Sequence, residues 1–167
     1  MAYELIETIE VGAGGAASIE FTSIPQDGVD LLLVTSVRLS TGNSPFLYWR
    51  ANSDSGSNYT HRRLSGDGST ASSGSSSGTT QGWIGRVSGG SDTANTAGNT
   101  ATYFSNYTST ANKSISSDAV AENNATYAEQ YIIASSYTTS SPISSLSVIP
   151  ASGTIEQYST ASLYKIS

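Results

Sequence analysis

Short apolar runs, each soon broken by glycine, proline or asparagine, leave this chain one practical way to build a core. Residues 18–24 set Ile19 and Phe21 against Glu20 and Thr22 before Pro25 stops the run. Residues 46–50 set Phe46 and Tyr48 against Leu47 and Trp49. Residues 143–149 carry Ile143, Leu146, Val148 and Ile149 and end at Pro150. Period-two patterns belong to strands, because successive strand side chains point to opposite faces. Residues 29–34 (Val-Asp-Leu-Leu-Leu-Val) differ, being almost continuously apolar. That run is too short for a good helix and reads as the most buried strand, continuing in alternation to Leu39.

The remaining segments repeat the strand pattern more weakly at residues 3–11, 59–64, 81–87, 96–107, 113–120 and 153–166. Residues 125–137, with Tyr127, Tyr131, Ile132 and Ile133, form a second strong strand that follows a turn at 122–124. Pro25, Gln26, Asp27 and Gly28 make a turn, since proline pre-sets φ and glycine accepts positive φ. Residues 65–80 hold almost nothing but glycine, serine and threonine, and are expected to form a long exposed loop. The expected architecture is all-β: a single β-sandwich of jelly-roll type, with about eight to ten antiparallel strands and no significant helix. Residues 1–17 read as an N-terminal strand or extended arm ending in a Gly/Ala hinge at 12–17. Residues 18–167 read as the sandwich.

Composition then narrows the function. The chain has 167 residues, of which 37% are hydrophobic and 12% charged, with a net charge of −6. The seven basic residues do not cluster beyond Arg62 and Arg63, so no patch for nucleic-acid phosphate is expected. No window approaches the roughly 18 apolar residues of a membrane helix, and the N-terminus lacks the basic, apolar layout of a signal peptide. The Asn-x-Ser/Thr triplets at Asn58, Asn106, Asn112 and Asn124 therefore read as incidental.

Catalytic chemistry has little to draw on. There is no cysteine and one histidine, His61, which Arg62 and Arg63 follow directly and should keep neutral. No Gly-x-Ser-x-Gly elbow is present. Glu20, Asp30, Glu122 and Glu129 could supply a glycosidase pair, but nothing marks one pair over another. Asn52, Asp54, Gly56 and Asn58 have the spacing of half a calcium loop, without the glutamate that completes one. No enzyme, cofactor or metal site is expected.

Aromatic residues are the conspicuous class, with ten tyrosines and two tryptophans. Such side chains join a broad apolar face to a polar tip and suit interfaces. Tyr48, Trp49, Tyr59 and Trp83 are the candidate interface aromatics. Tyr3, Leu5, Ile6 and Ile9 are the candidate contacts of the N-terminal arm, which would reach a neighbouring subunit.

Several segments together resemble a known group. They are residues 19–25 (Ile-Glu-Phe-Thr-Ser-Ile-Pro), 30–34 (Asp-Leu-Leu-Leu-Val), 56–59 (Gly-Ser-Asn-Tyr), 122–125 (Glu-Asn-Asn-Ala) and 157–164 (Gln-Tyr-Ser-Thr-Ala-Ser-Leu-Tyr). The pattern resembles virion structural proteins of tailed bacteriophages, which are β-sandwich modules on capsids or within tail fibres. The chain carries no tail-attachment domain, coiled coil or collagen-like shaft. The resemblance therefore implies a capsid decoration (cement) protein, assembled in the host cytoplasm. It would act as a homotrimer on the major capsid protein and stabilise the assembled head. The alternative it implies is a tail-fibre or receptor-binding module that recognises cell-surface glycan through Trp49 or Trp83.

Overall fold

The computed structural model describes residues 2–123, 125 and 128–167. Its strands are β1 (Tyr3–Glu10), β2 (Ile19–Phe21), β3 (Asp30–Val37), β4 (Phe46–Ala51), β5 (Tyr59–Gly66) and β6 (Ala71–Thr79). They continue with β7 (Gly82–Arg86), β8 (Gly98–Phe104), β9 (Lys113–Glu122), β10 (Ala128–Tyr137), β11 (Leu146–Pro150) and β12 (Thr160–Ile166). The fold is all-β, with no helix among the described residues. Asn124, the end of the expected 122–124 turn, and Tyr127 lie outside the described residues.

Two antiparallel sheets form the sandwich. The larger has eight strands in the order β1-β12-β3-β8-β9-β10-β5-β6, and the smaller has four in the order β2-β11-β4-β7. The pairing is nested: β1 with β12, β2 with β11, β3 with β8 and β4 with β7. Two further strand pairs, β5–β6 and β9–β10, sit inside this scheme and widen the larger sheet, with β9 and β10 packed against β7 at the edge of the smaller one.

The alternation seen in the sequence decides which side chains meet between the sheets. Leu31, Leu33, Phe104 and Leu163 point inward from the larger sheet, and Phe21, Leu47, Trp49, Ile84, Leu146 and Val148 from the smaller. All are buried and join one continuous cluster. Burial of each large apolar side chain contributes about 1.5–3 kcal/mol, so this cluster is the main source of stability.

The described residues form twelve strands where about eight to ten were expected. Much of the difference lies in residues 65–80, which hold a strand and not a long loop. Ala71–Thr79 forms β6, exposed along most of its length, and pairs with β5 from Gly66↔Ala71 to Tyr59↔Thr79. No apolar alternation announces it. It forms because β5 offers an unpaired edge and Asp67 closes the turn, accepting from the Ser69 and Thr70 amides at 2.9 and 2.6 Å. Residues 3–10 form β1, the other edge of the larger sheet, and Glu4, Glu7 and Glu10 line it.

Candidate functional site

The outer face of the larger sheet is the most unusual surface of the molecule. Strand register places Leu5 opposite Tyr164, Tyr164 opposite Leu32, and Leu32 opposite Tyr103. These four side chains make a straight row across β1, β12, β3 and β8. Tyr3 and Val34 extend it along the strands. Tyr3, Leu5 and Val34 are 59%, 51% and 39% exposed. Asp30 holds the row's last member in place by accepting a hydrogen bond from the Tyr103 hydroxyl, which pushes the phenol's pKa up to about 12. Further along the same face Leu64 and Ile132 form an exposed cross-strand pair.

The near-continuous apolar run of β3 now has a physical meaning. Leu31 and Leu33 serve the core, while Leu32 and Val34 serve the outer face. Strands apolar on both faces belong in sheets covered on both faces. Among the described residues no second layer covers this face, where Leu32 is half-buried and Val34 exposed.

The other candidate interface residues are placed as follows. Ile6 and Ile9 are half-buried and pack against the core beneath β1. Trp49 and Tyr59 are fully buried between the sheets, so neither reaches the surface. Trp49 meets Phe104 edge-to-face at 5.0 Å and Tyr59 at 5.2 Å. Tyr48 lies half-buried near Trp83, at 6.1 Å between ring centroids. Trp83 stacks on His61 at 3.9 Å and packs against Phe46 at 4.3 Å, with Arg63 over its ring at 5.7 Å. This group seals the place where the smaller sheet ends at β7 and the larger continues beneath it. Thus Tyr3 and Leu5 belong to the outer-face row, whereas Trp49, Tyr59 and Trp83 hold the sandwich together.

Tyr164, Leu32 and Tyr103 are members of the row that sequence reading missed. Their signal was the second phase of each strand's alternation, which becomes a row only once register is known.

Comparison with protein-family models, curated proteins and solved structures finds no match.

The chemically active residue types are engaged within the fold. His61 is buried, with its Nδ1 lacking a hydrogen-bond partner. Burial first, then the charges of Arg63 and Arg62, depress its pKa below the ordinary 6.5. The Asp54 carboxylate accepts from the Gly56 amide at 2.7 Å, Asn58 Nδ2 at 2.8 Å and the Tyr137 hydroxyl at 3.1 Å, so it closes its own loop. Glu20 accepts from Ser147, and Glu129 faces Arg86 at 3.7 Å.

The depressed histidine pKa gives a pH prediction. The unfolded chain takes up a proton at His61 near pH 6.5, before the folded chain does. Stability is therefore greatest above that value and falls as pH drops through it toward the folded-state pKa. Urea unfolding of the wild type at several pH values on either side of 6.5 should reveal this slope, and His61→Gln should flatten it. An equal slope in both proteins would assign the effect elsewhere.

Proposed function

We propose that this protein is a jelly-roll capsid decoration module of a tailed phage, docking through the outer face of its larger sheet. The jelly-roll reading is supported by the nested pairs β1–β12, β2–β11, β3–β8 and β4–β7, which alternate between the sheets as a rolled-up long hairpin does. The observation that carries the binding role is the row Leu5–Tyr164–Leu32–Tyr103 on a sheet face left open. A contiguous apolar surface, exposed at Tyr3, Leu5 and Val34 and half-buried at Leu32, Tyr103 and Tyr164, on a chain otherwise rich in serine and threonine marks a partner site. Tyrosine fits there because its ring is buried on docking while its hydroxyl stays bonded. The phage-head context comes from the sequence resemblance. In this reading the chain assembles as a homotrimer and binds the major capsid protein only once the shell is formed. Mass action then favours the assembled head.

The test uses purified protein and heads lacking it. Wild-type protein should co-sediment with the heads and raise their resistance to heat. Leu32→Glu places an unpaired charge in the row that docking would bury and should weaken binding by about a hundredfold without lowering the melting temperature. Labelled antibody should decorate the head of intact virions. Label confined to the tail tip, or full head binding by Leu32→Glu, would overturn the proposal.

A further inference from the structure

At the end of the sandwich where β3 leaves the larger sheet lies an open cleft of about 470 Å³. It is lined by residues 94–97, residues 156–159, and Ser36 and Arg38 at the end of β3. A second hollow of about 430 Å³ adjoins it, and the two share Glu156, Gln157 and Tyr158. Tyr158 therefore stands as a ridge between two subsites. The first volume lies within the roughly 300–1,000 Å³ typical of small-ligand sites.

Tyr158 is held there at some cost. Its φ is +67°, in the left-handed region that bulky residues seldom occupy, and it is 73% exposed. Its backbone is fixed by long-range hydrogen bonds: the Tyr158 amide donates to Val11 O at 2.9 Å, and the Glu156 amide to Arg38 O at 2.8 Å. Glycine or asparagine would sit at such a position with less strain. A strained backbone that presents a ring to solvent is a reason to look for a ligand.

The surroundings define its chemistry. Arg38 is braced by every part of its guanidinium, donating to Thr93 O and Thr96 O at 3.0 Å each, to Asp92 O at 3.2 Å, and pairing with Glu156 at 3.1 Å. The two charges lining the first cleft thus cancel, which disfavours both phosphate and cations. What remains available is hydroxyl- and amide-bonding capacity from Asn95, Gln157 and the outer side of Glu156, beside one exposed aromatic ring. A sugar ring matches this set, since its C–H face stacks on tyrosine and its hydroxyls bond to planar polar side chains.

We propose that this cleft is a saccharide-binding site, with Tyr158 as the stacking platform for an uncharged glycan that spans both subsites. It lies at the Glu10 end of β1, and Ser36, which lines it, is two residues along the outer face of β3 from Val34, so the cleft adjoins the end of the outer-face row.

The test is a titration of the isotope-labelled protein with glucose, galactose, N-acetylglucosamine and their β-linked disaccharides, followed by amide NMR shifts. At least one disaccharide should produce saturable shifts confined to residues 94–97 and 156–159, more strongly than its monosaccharide. Tyr158→Gly should weaken binding about tenfold or more while raising the melting temperature, because it relieves the left-handed strain. Tyr158→Trp should retain binding. Absence of saturable shifts with the whole panel at tens of millimolar, or binding unaffected in Tyr158→Gly, would overturn the proposal. Head binding is read separately, so its failure would leave this result standing.

Discussion

Trp49→Ala is expected to lower stability by about 3–5 kcal/mol, enough to unfold much of the population in a domain of ordinary stability. The indole is fully buried in β4, between the sheets. Phe104, Tyr59 and Tyr137 meet it edge-on, with centroids at 5.0, 5.2 and 6.2 Å. Edge-to-face contacts of this kind add to the stabilisation from burial alone. Facing it in register is Gly82 on β7, where an added Cβ would come within 2.0 Å of the indole Cε2. The glycine is therefore the other half of the tryptophan's seat. Gly82→Ala should destabilise the wild type strongly but the Trp49→Ala background far less, a coupling that a double-mutant cycle measures. Trp49→Phe should be milder, because the indole N–H has no partner to lose. Urea midpoints with unchanged slope would give the values. A loss below about 1 kcal/mol for Trp49→Ala would mean that the cluster is not the core.

The second large effect is expected at Lys113. This lysine is 1% exposed at the start of β9. Its ammonium donates to Ser109 O at 2.8 Å, Ser141 O at 2.5 Å and Thr139 O at 3.4 Å. Burial pushes its pKa below the lysine range, while the carbonyl oxygens compensate the charge they surround. Replacing such a group by an apolar one has two opposed effects: the desolvation of the ion is no longer a cost, but its acceptors lose their donor. Three carbonyls from two loops share this single donor, so the second effect wins here. Lys113→Met is expected to cost about 2–4 kcal/mol. Hydrogen exchange should accelerate first in the loops 105–112 and 138–145. Uniformly accelerated exchange, with no preference for those loops, would contradict the tethering role.

What could be read in advance follows the range of the interaction. Trp49 and Leu47 announced strand β4 by their own alternation, and the all-β sandwich was legible from such local patterns. Strand β6 was not, because serine and glycine carry no periodic signal and the strand exists only by virtue of the β5 edge. Residues 29–34 were legible as buried, yet the sequence cannot say that Leu32 and Val34 face outward, with no second layer over them among the described residues. Trp49 and Tyr59 read as interface candidates because an aromatic on a strand has the same appearance whichever sheet face it occupies. Tyr158 gave no signal, since its strained backbone is imposed by Val11 at the far side of the nested pairing. The alignment of Leu5, Tyr164, Leu32 and Tyr103 likewise depends on register between distant segments.

The nesting of strand pairs also sets a clock. Among the described residues β5–β6, β8–β9 and β9–β10 join strands consecutive in the chain, so they are the pairs that can close first at small entropic cost. Each step outward, from β4–β7 to β3–β8 to β2–β11, encloses a longer stretch of polypeptide, and β1–β12 encloses nearly all of it. Chains dominated by such distant pairings fold in milliseconds to seconds, not microseconds. The β1–β12 seam is therefore expected to form last and open first, and Leu5 and Tyr164 lie across it. A partner seated on that row would hold shut the joint at which unfolding begins, converting a contact on one face into a longer lifetime for the whole molecule.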